Sequence, residues 1–552
     1  MTPVSSTLSA GIGQDISGWR TRLTDEMVVR YTASGQWRGL TIADRARDWA
    51  HRAPDAAAVI GGESALTFGQ LFDAAAALAR TFVGHGLKPG EVVSFQLPNW
   101  HEAVIINIAA ALTGLIVNPI VPIYRDAEVG FILNDARTRV LFIPDALRSI
   151  SYIDMVERLR AGLPHLEHVV LVRAERPGYP SFEHWCVPGG NGDSGFPAVD
   201  PNAIKLVLYT SGTTGVPKGV LHSHNTLGAE IDAFAAYRSL TAADIVFMPS
   251  PVTHIAGYLY GMELLFTRGM TTVLMDRWNA AEAVDLIARH GATFTAAATP
   301  FLAELVAELE RRQAQLPSLT YFGCGGAPVA PDTVERARIV LPNCLTSRAY
   351  GATEAPTVSA GVAAGDPAEL GATTDGAILN HEVRIIAPGS GEILSEGCEG
   401  EIVTRGPEVM IGYASPEATR ESFDAEGFFH TGDLGFLSHQ SYITVTGRMK
   451  DIIIRGGENI APKEIEDVLH RHPAVLEAAV VAMPHPRLGE TPCAFIVPRE
   501  GASLDFDEMV SFLESHRVSK QKFPEKIVLV TELPRNAAGK VLKHKLKAQL
   551  EG

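Results

Sequence analysis

Two hydrophobic periods alternate along the chain. Short apolar runs rich in Val, Ile and Leu are separated by stretches in which apolar positions recur every three or four residues. Residues 41–51 predict a short helix capped by Thr41, with Ile42, Ala46 and Trp49 on one face. Residues 56–60 predict a strand, and residues 66–86 an amphipathic helix closing near His85 and Gly86. Strand signals recur at 92–97, 139–143, 168–172 and 204–210. The most apolar stretch, 103–123, is broken by Asn107, Gly114, Asn118 and Pro119, which favours a buried helix followed by a strand or turn over a membrane span.

This alternation continues through Tyr350 and predicts sheets covered by helices. From Gly376 to about Gly447 the pattern changes to short strands and turns, and then α/β alternation resumes to the end. The expected fold class is α/β and β: a large N-terminal body of layered α/β sheets with a β-rich subdomain, then a small α+β C-terminal domain. The expected division is 1–449 and 450–552.

With 552 residues, 46% hydrophobic and 20% charged, the chain has material for several folding units. A formal net charge of −16 argues against a polynucleotide or an anionic membrane as the main partner, although a local basic pocket remains compatible with phosphates. Cys186, Cys324, Cys344, Cys398 and Cys493 form no close CxxC pair, so neither a zinc site nor a disulfide framework is expected. A reducing cytoplasm is the expected setting. Residues 1–19 lack a basic segment leading into an apolar block, so no secretory signal is expected.

YTSGTTGVPKG at 209–219 follows an apolar strand. Glycines open backbone N–H groups toward an anion, hydroxyls add donors, and a lysine supplies charge; Thr210, Ser211, Gly212, Thr213, Thr214, Gly215 and Lys218 therefore make a candidate nucleotide-phosphate clamp. It is not a Walker A loop, because Pro217 precedes Lys218 and Gly219 follows it, leaving no adjacent hydroxyl for magnesium. Four further motifs follow in order: YGATE at 350–354, TGD at 431–433, GRMKDIIIRGGENIAPKEIE at 447–466 and PRNAAGK at 534–540.

In this order the motifs resemble the adenylate-forming superfamily of acyl-CoA synthetases, luciferases and carrier-protein adenylation domains, over nearly the whole chain. The resemblance implies ATP, Mg2+ and coenzyme A as cofactor and cosubstrates. It implies that Tyr350 stacks on adenine beside Gly351, that Thr353 contacts phosphate, and that Glu354 holds the metal. Gly325, Gly326 and Ala327, in GCGGAP at 323–328, would border adenine and the acyl group, where small residues let the backbone approach closely. Asp433 would accept the ribose hydroxyls with Arg448 nearby, Lys450 would be a hinge, and Gly456 and Gly457 would border the pantetheine path. Lys540 would be the lysine of adenylation, leaving Lys540, Lys218, Thr353 and Glu354 as the catalytic set.

MPSPVTHIAGYLYG at 248–261 resembles the family's substrate-proximal segment and implies a pocket lined by His254, Ile255, Tyr258 and Gly325. Ile255, Ala256 and Tyr258 favour a hydrophobic acid over acetate. The chain is similar to medium-chain, benzoate-type and cyclohexanecarboxylate CoA ligases, and cyclohexanecarboxylate is the narrow expectation. The expected partners are thus a small carboxylic acid, ATP and coenzyme A, with no nucleic acid, no membrane span, and a homodimer left open. A stand-alone enzyme loading a carrier protein, a luciferase-like oxidase and a noncatalytic nucleotide-binding scaffold are the alternatives.

Overall fold

A computed structural model of the protein describes residues 13–187, 195–210, 217–326, 331–439, 441–535 and 539–551. Helix starts follow local capping chemistry. Thr41 and Asp44 close a reciprocal capping box ahead of the helix Ile42–Arg52. Thr67 and Gln70 close another, so the segment expected as one helix is a strand, Ser64–Thr67, followed by the helix Phe68–Gly84. The helix His101–Thr113 is buried from Glu102 to Thr113 and mostly apolar; Gly114 ends it in the left-handed conformation. The strand Ile116–Pro119 follows directly, as the interrupted apolar pattern predicts.

Two seven-stranded sheets carry the body. The first runs His168–Leu171, Thr138–Ile143, Val92–Phe95, Ile116–Pro119 and Ile204–Thr210 in parallel. It continues antiparallel through Lys218–Ser223 and Gly412–Tyr413. In the second, Leu345–Arg348, Tyr321–Cys324, Phe294–Ala297, Ile245–Met248, Thr271–Leu274 and Ala57–Gly61 are parallel, and Ser64–Thr67 closes the edge by a hairpin. The helix His101–Thr113 lies between these sheets, within one core that includes Val93, Val117 and Leu206 of the first and Val59, Val246 and Phe294 of the second. Both sheets end their parallel strands toward the same region, the place where open α/β sheets hold ligands.

The β-rich segment is a four-stranded antiparallel sheet in the order Glu382–Ile386, Gly400–Arg405, Phe429–Ser438 and Tyr442–Arg448. A single 3-10 turn, Met449–Asp451, leads from it into a five-stranded sheet built on the long strands Val475–His485 and Gly489–Pro498. The tail has its own core, in which Ile465 and Leu469 of the helix Pro462–Leu469 pack on Ile453, Val480 and Ile496. Pro462 sits in the first turn, where the missing N–H costs nothing. Among the described residues, no helix is long and apolar enough to cross a membrane.

Candidate active site

A cavity of about 640 Å³ opens where strand ends of the two large sheets, the β-rich sheet and the tail converge. Its wall brings together most of the expected residues that the structure describes. Thr210 and Lys218 lie opposite one another on the hairpin that flanks residues 211–216, and both line the cavity. Gly325, Gly326, Tyr350, Gly351, Thr353, Glu354, Asp433, Arg448, Lys450, Lys540, His254 and Ile255 line it too. The expected ligands Ser211, Gly212, Thr213, Thr214, Gly215 and Ala327 lie outside the described residues.

Hairpin register sets the nucleotide end. Asp433 pairs directly with Arg448 across the strands Phe429–Ser438 and Tyr442–Arg448, and Arg448 Nε lies 2.8 Å from Asp433 Oδ1. The Tyr350 hydroxyl donates to Asp433 Oδ2 at 2.8 Å, so both carboxylate oxygens are already oriented. Gly325 has no room for a side chain: a Cβ there would come 2.6 Å from the Ala349 carbonyl oxygen.

At the phosphate end, Tyr413 joins two expected residues. Its hydroxyl donates to Glu354 Oε1 at 2.8 Å, and Lys218 Nζ stands 5.3 Å from its ring centroid. The buried His222 bonds through Nε2 to the Thr353 carbonyl oxygen at 2.7 Å and so fixes the backbone of YGATE. A carbonyl only accepts, so Nε2 carries the proton, and burial pushes the imidazole down to about 4, which keeps it neutral. Neither Tyr413 nor His222 belongs to a motif that sequence alone singles out.

Lys540 arrives from the tail. Arg535 Nη1 donates to the Gly539 carbonyl oxygen, while Arg535 Nη2 donates to Glu477 Oε1 at 2.7 Å, linking Gly539 through Arg535 to the tail sheet. Gly539, at φ +77°, lies so close to the body that a Cβ would stand 3.4 Å from Pro300 Cγ. Burial, with the nearby Arg448 and Lys450, lowers Lys540 to about 8, against the opposing pull of Asp433 and Asp451. Burial and Arg448 likewise lower Lys450. Among the described residues, Lys218, Arg448, Lys450 and Lys540 bring four cations to this wall, facing Glu354, Glu401 and Asp433.

The remaining end of the cavity is apolar and aromatic. Phe234, Tyr260 and Tyr321 line it, with ring centroids 4.7 Å apart for Phe234 and Tyr260 and 6.3 Å apart for Phe234 and Tyr321. Burial lowers His254 to about 4, so it faces this space as a neutral ring.

Tyr258 is a correction. It is fully buried away from the cavity, and its hydroxyl donates to Asn107 Oδ1 at 2.6 Å in the core. The segment Leu259–Glu263 is a π-helical turn between the short helices Ile255–Tyr258 and Leu265–Arg268. Cavity-lining positions step by four, from Ile255 to Leu259 and from Ala256 to Tyr260, as on one face of a helix, while Tyr258, two residues before Tyr260, falls on the opposite side. Gly456 and Gly457 are not on the cavity wall either; they form a turn at φ +59° and +93° between the strands Ile453–Arg455 and Glu458–Ile460.

A strand-end cavity thus gathers the carboxylate–arginine pair Asp433–Arg448, Lys218 and a lysine from the tail, Lys540. Residues 46–414 match the family model described as AMP-binding enzyme, and residues 464–540 match the AMP-binding enzyme C-terminal domain. The chain belongs to the AMP-binding enzyme family. Within it, it is an adenylate-forming acid–thiol ligase of the acyl-CoA synthetase class. It is 36% identical over 526 residues to the medium-chain fatty-acid–CoA ligase of Escherichia coli K12, covering 94% of this chain and 92% of that one. It is also 32% identical over 539 residues to the salicyl-AMP ligase / salicyl-S-ArCP synthetase of Mycobacterium tuberculosis, covering 95% and 93%. Among solved structures, ATP-bound MatB from Rhodopseudomonas palustris superposes with a TM-score of 0.82 at 26% identity, over 92% of this chain and 99% of that one.

Proposed function

We propose that the protein activates a hydrophobic carboxylic acid with ATP and transfers the acyl group to coenzyme A at one site, in two steps. In the first, a substrate carboxylate oxygen attacks the α-phosphorus of ATP, the bond to pyrophosphate breaks, and acyl-AMP remains. In the second, the thiolate of coenzyme A attacks the acyl carbon and AMP leaves. The supporting observation is the company of Lys540: a tail residue lines the same cavity as Lys218, Glu354, Asp433 and Arg448 of the body. Oriented cations beside two anions that must meet supply alignment and transition-state charge stabilisation.

Each residue then has a task. Asp433, aligned by Tyr350 and Arg448, takes the ribose hydroxyls, and Tyr350 and Gly351 border adenine with Gly325 and Gly326. Thr353, Lys218 and the hairpin around Thr210 hold phosphates. Glu354 would hold magnesium. One carboxylate, its other contact being the Tyr413 hydroxyl, suits a cation that takes few protein ligands and completes its shell with water and substrate phosphates. Bound there, the ion would neutralise charge between phosphate groups.

The second step calls for Lys540 to leave, and the turn Met449–Asp451 is the place for rotation, with Lys450 as the hinge and 1–449 and 450–552 as the moving parts. Gly456 and Gly457, away from the cavity in this arrangement, would border the thiol path after rotation. The aromatic end of the cavity favours a compact apolar acid, with cyclohexanecarboxylate as the first choice.

The test is incubation of the full chain with ATP, magnesium and an acid panel, with AMP and acyl products detected directly. The panel spans cyclohexanecarboxylate, benzoate and straight medium-chain acids, with coenzyme A, a phosphopantetheinyl carrier protein or neither as acceptor. AMP with acyl-CoA supports the proposal. Product on the carrier alone would reassign the acceptor, and no adenylate with any acid would overturn the reaction.

A further inference from the structure

Behind the aromatic end of the cavity lies a buried polar network that neither half-reaction uses. Tyr260 is 6% exposed, and its ring lines the cavity beside Phe234. Its hydroxyl donates to Glu230 Oε1 at 2.7 Å and also meets Thr357 Oγ1. Glu230, fully buried on the helix His224–Tyr237, stands against Glu408, which is fully buried as well. Glu408 accepts from Asn380 Nδ2 at 2.6 Å and from His381 Nε2 at 3.0 Å, and Gln36 Nε2 donates to Asn380 Oδ1 at 2.7 Å.

Burial and the facing Glu408 carboxylate push Glu230 well above the usual carboxylate range, and burial lifts Glu408 to about 7. Ionising one carboxyl therefore disfavours ionising the other. Glu230 Oε2 is buried without a hydrogen-bond partner, so the network holds the Tyr260 hydroxyl through Oε1. Glu230 and Glu408 do not themselves line the cavity, whereas Tyr260 and Thr357 do. What the pair offers the site is therefore a fixed acceptor for the Tyr260 hydroxyl. Buried polar groups are costly unless satisfied, and a satisfied network rigidifies whatever it holds.

We propose that Tyr260 closes the acyl end of the cavity and sets the length of acid accepted, with Glu230 and Glu408 as positioning residues that hold its ring across the end. Helical spacing supplies the geometry, since residues two apart point to opposite sides and Tyr260 reaches the wall while Tyr258 points into the core. This inference rests on the proposed placement of the acid at the aromatic end.

The experiment measures kcat/KM for acid-dependent AMP release, with coenzyme A present, over straight-chain acids of increasing length, and the KM for ATP in parallel. Full-length wild type is compared with Tyr260→Ala, Tyr260→Trp and Glu408→Gln. Tyr260→Ala is expected to raise the preference for acids longer than the wild-type optimum by roughly tenfold or more per added methylene that now fits, with the ATP KM unchanged. Tyr260→Trp should move the optimum toward shorter acids. Glu408→Gln should relax discrimination against longer acids while leaving the ATP KM at the wild-type value, a split that general destabilisation does not produce. Should Tyr260→Ala fail to fold, the opposite shift in Tyr260→Trp carries the test. Wild-type length profiles in the folded variants would overturn the role of Tyr260 alone, whereas a wild type that releases no AMP with any acid would overturn the reaction on which it rests.

Discussion

Arg448 and Asp433 face one another across an antiparallel hairpin, 2.8 Å apart, and the Tyr350 hydroxyl holds the other Asp433 oxygen at the same distance. In the proposed role of Asp433, ribose hydroxyls would meet an acceptor that is already oriented, so little ordering would remain to be done on binding. Asp433→Asn keeps the shape but removes the charge and half of the acceptor capacity. It should raise the KM for ATP by about tenfold, corresponding to the loss of one or two good hydrogen bonds. Steady-state kinetics with ATP and acid varied separately checks this, and the KM for the acid should stay near wild type.

Lys540→Ala should separate the two half-reactions. Removing the cation from the carboxylate and α-phosphate is expected to slow adenylate formation by about 100-fold or more, in line with losing one preorganised charge-stabilising group. Thioester formation from supplied acyl-adenylate should largely survive, because Lys540 has no task in it. Single-turnover assays of each half measure the two rates, and equal losses in both would contradict the assignment.

The depressed value of Lys540, about 8, gives a pH dependence of definite sign. In the proposed role Lys540 acts as the charged form, which is present below about pH 8 and lost as pH rises through it. The kcat/KM for adenylate formation, which reports on free enzyme, should therefore fall above about pH 8. Lys540→Arg should keep part of the activity and lose that alkaline fall, because a guanidinium stays charged throughout.

Lys450→Pro should impair the switch more than nucleotide binding. Proline fixes φ and restricts the preceding residue, Met449, so rotation within Met449–Asp451 becomes costly. Binding of ATP measured by calorimetry should remain close to wild type, while overall turnover falls by about tenfold or more as closure becomes limiting. Wild-type rates in both half-reactions would remove the hinge from this turn.

Much of this architecture is legible in the chain. Strand Ile204–Thr210 and helix Ile42–Arg52 follow from period and cap alone, since their signals are local. Helix Phe68–Gly84 begins later than apolar spacing suggests, because the Thr67 cap outweighs the apolar Leu66 before it. Motif residues meet in one cavity even though Lys218 and Lys540 are far apart in sequence, which the ordered motifs imply through resemblance and no local pattern contains. Tyr258 differs from the expectation because it and Tyr260 fall on opposite sides of one helical segment, and no sequence signal marks which of the two faces the cavity. Tyr413 and His222 escaped notice for a different reason: each acts through contacts made by remote strands, Tyr413 on Glu354 and His222 on the Thr353 carbonyl. Single aromatic residues in apolar strands carry no such information until register is known.

The central claim is that adenylate forms first, at a site completed by Lys540, before any thiol is needed. Acid-dependent exchange of labelled pyrophosphate into ATP, measured without coenzyme A, tests it most directly. The account predicts exchange that requires the acid and magnesium, proceeds with no thiol present, and collapses in Lys540→Ala. No exchange with any acid that the enzyme converts to acyl-CoA, or exchange that appears only when coenzyme A is added, would contradict it.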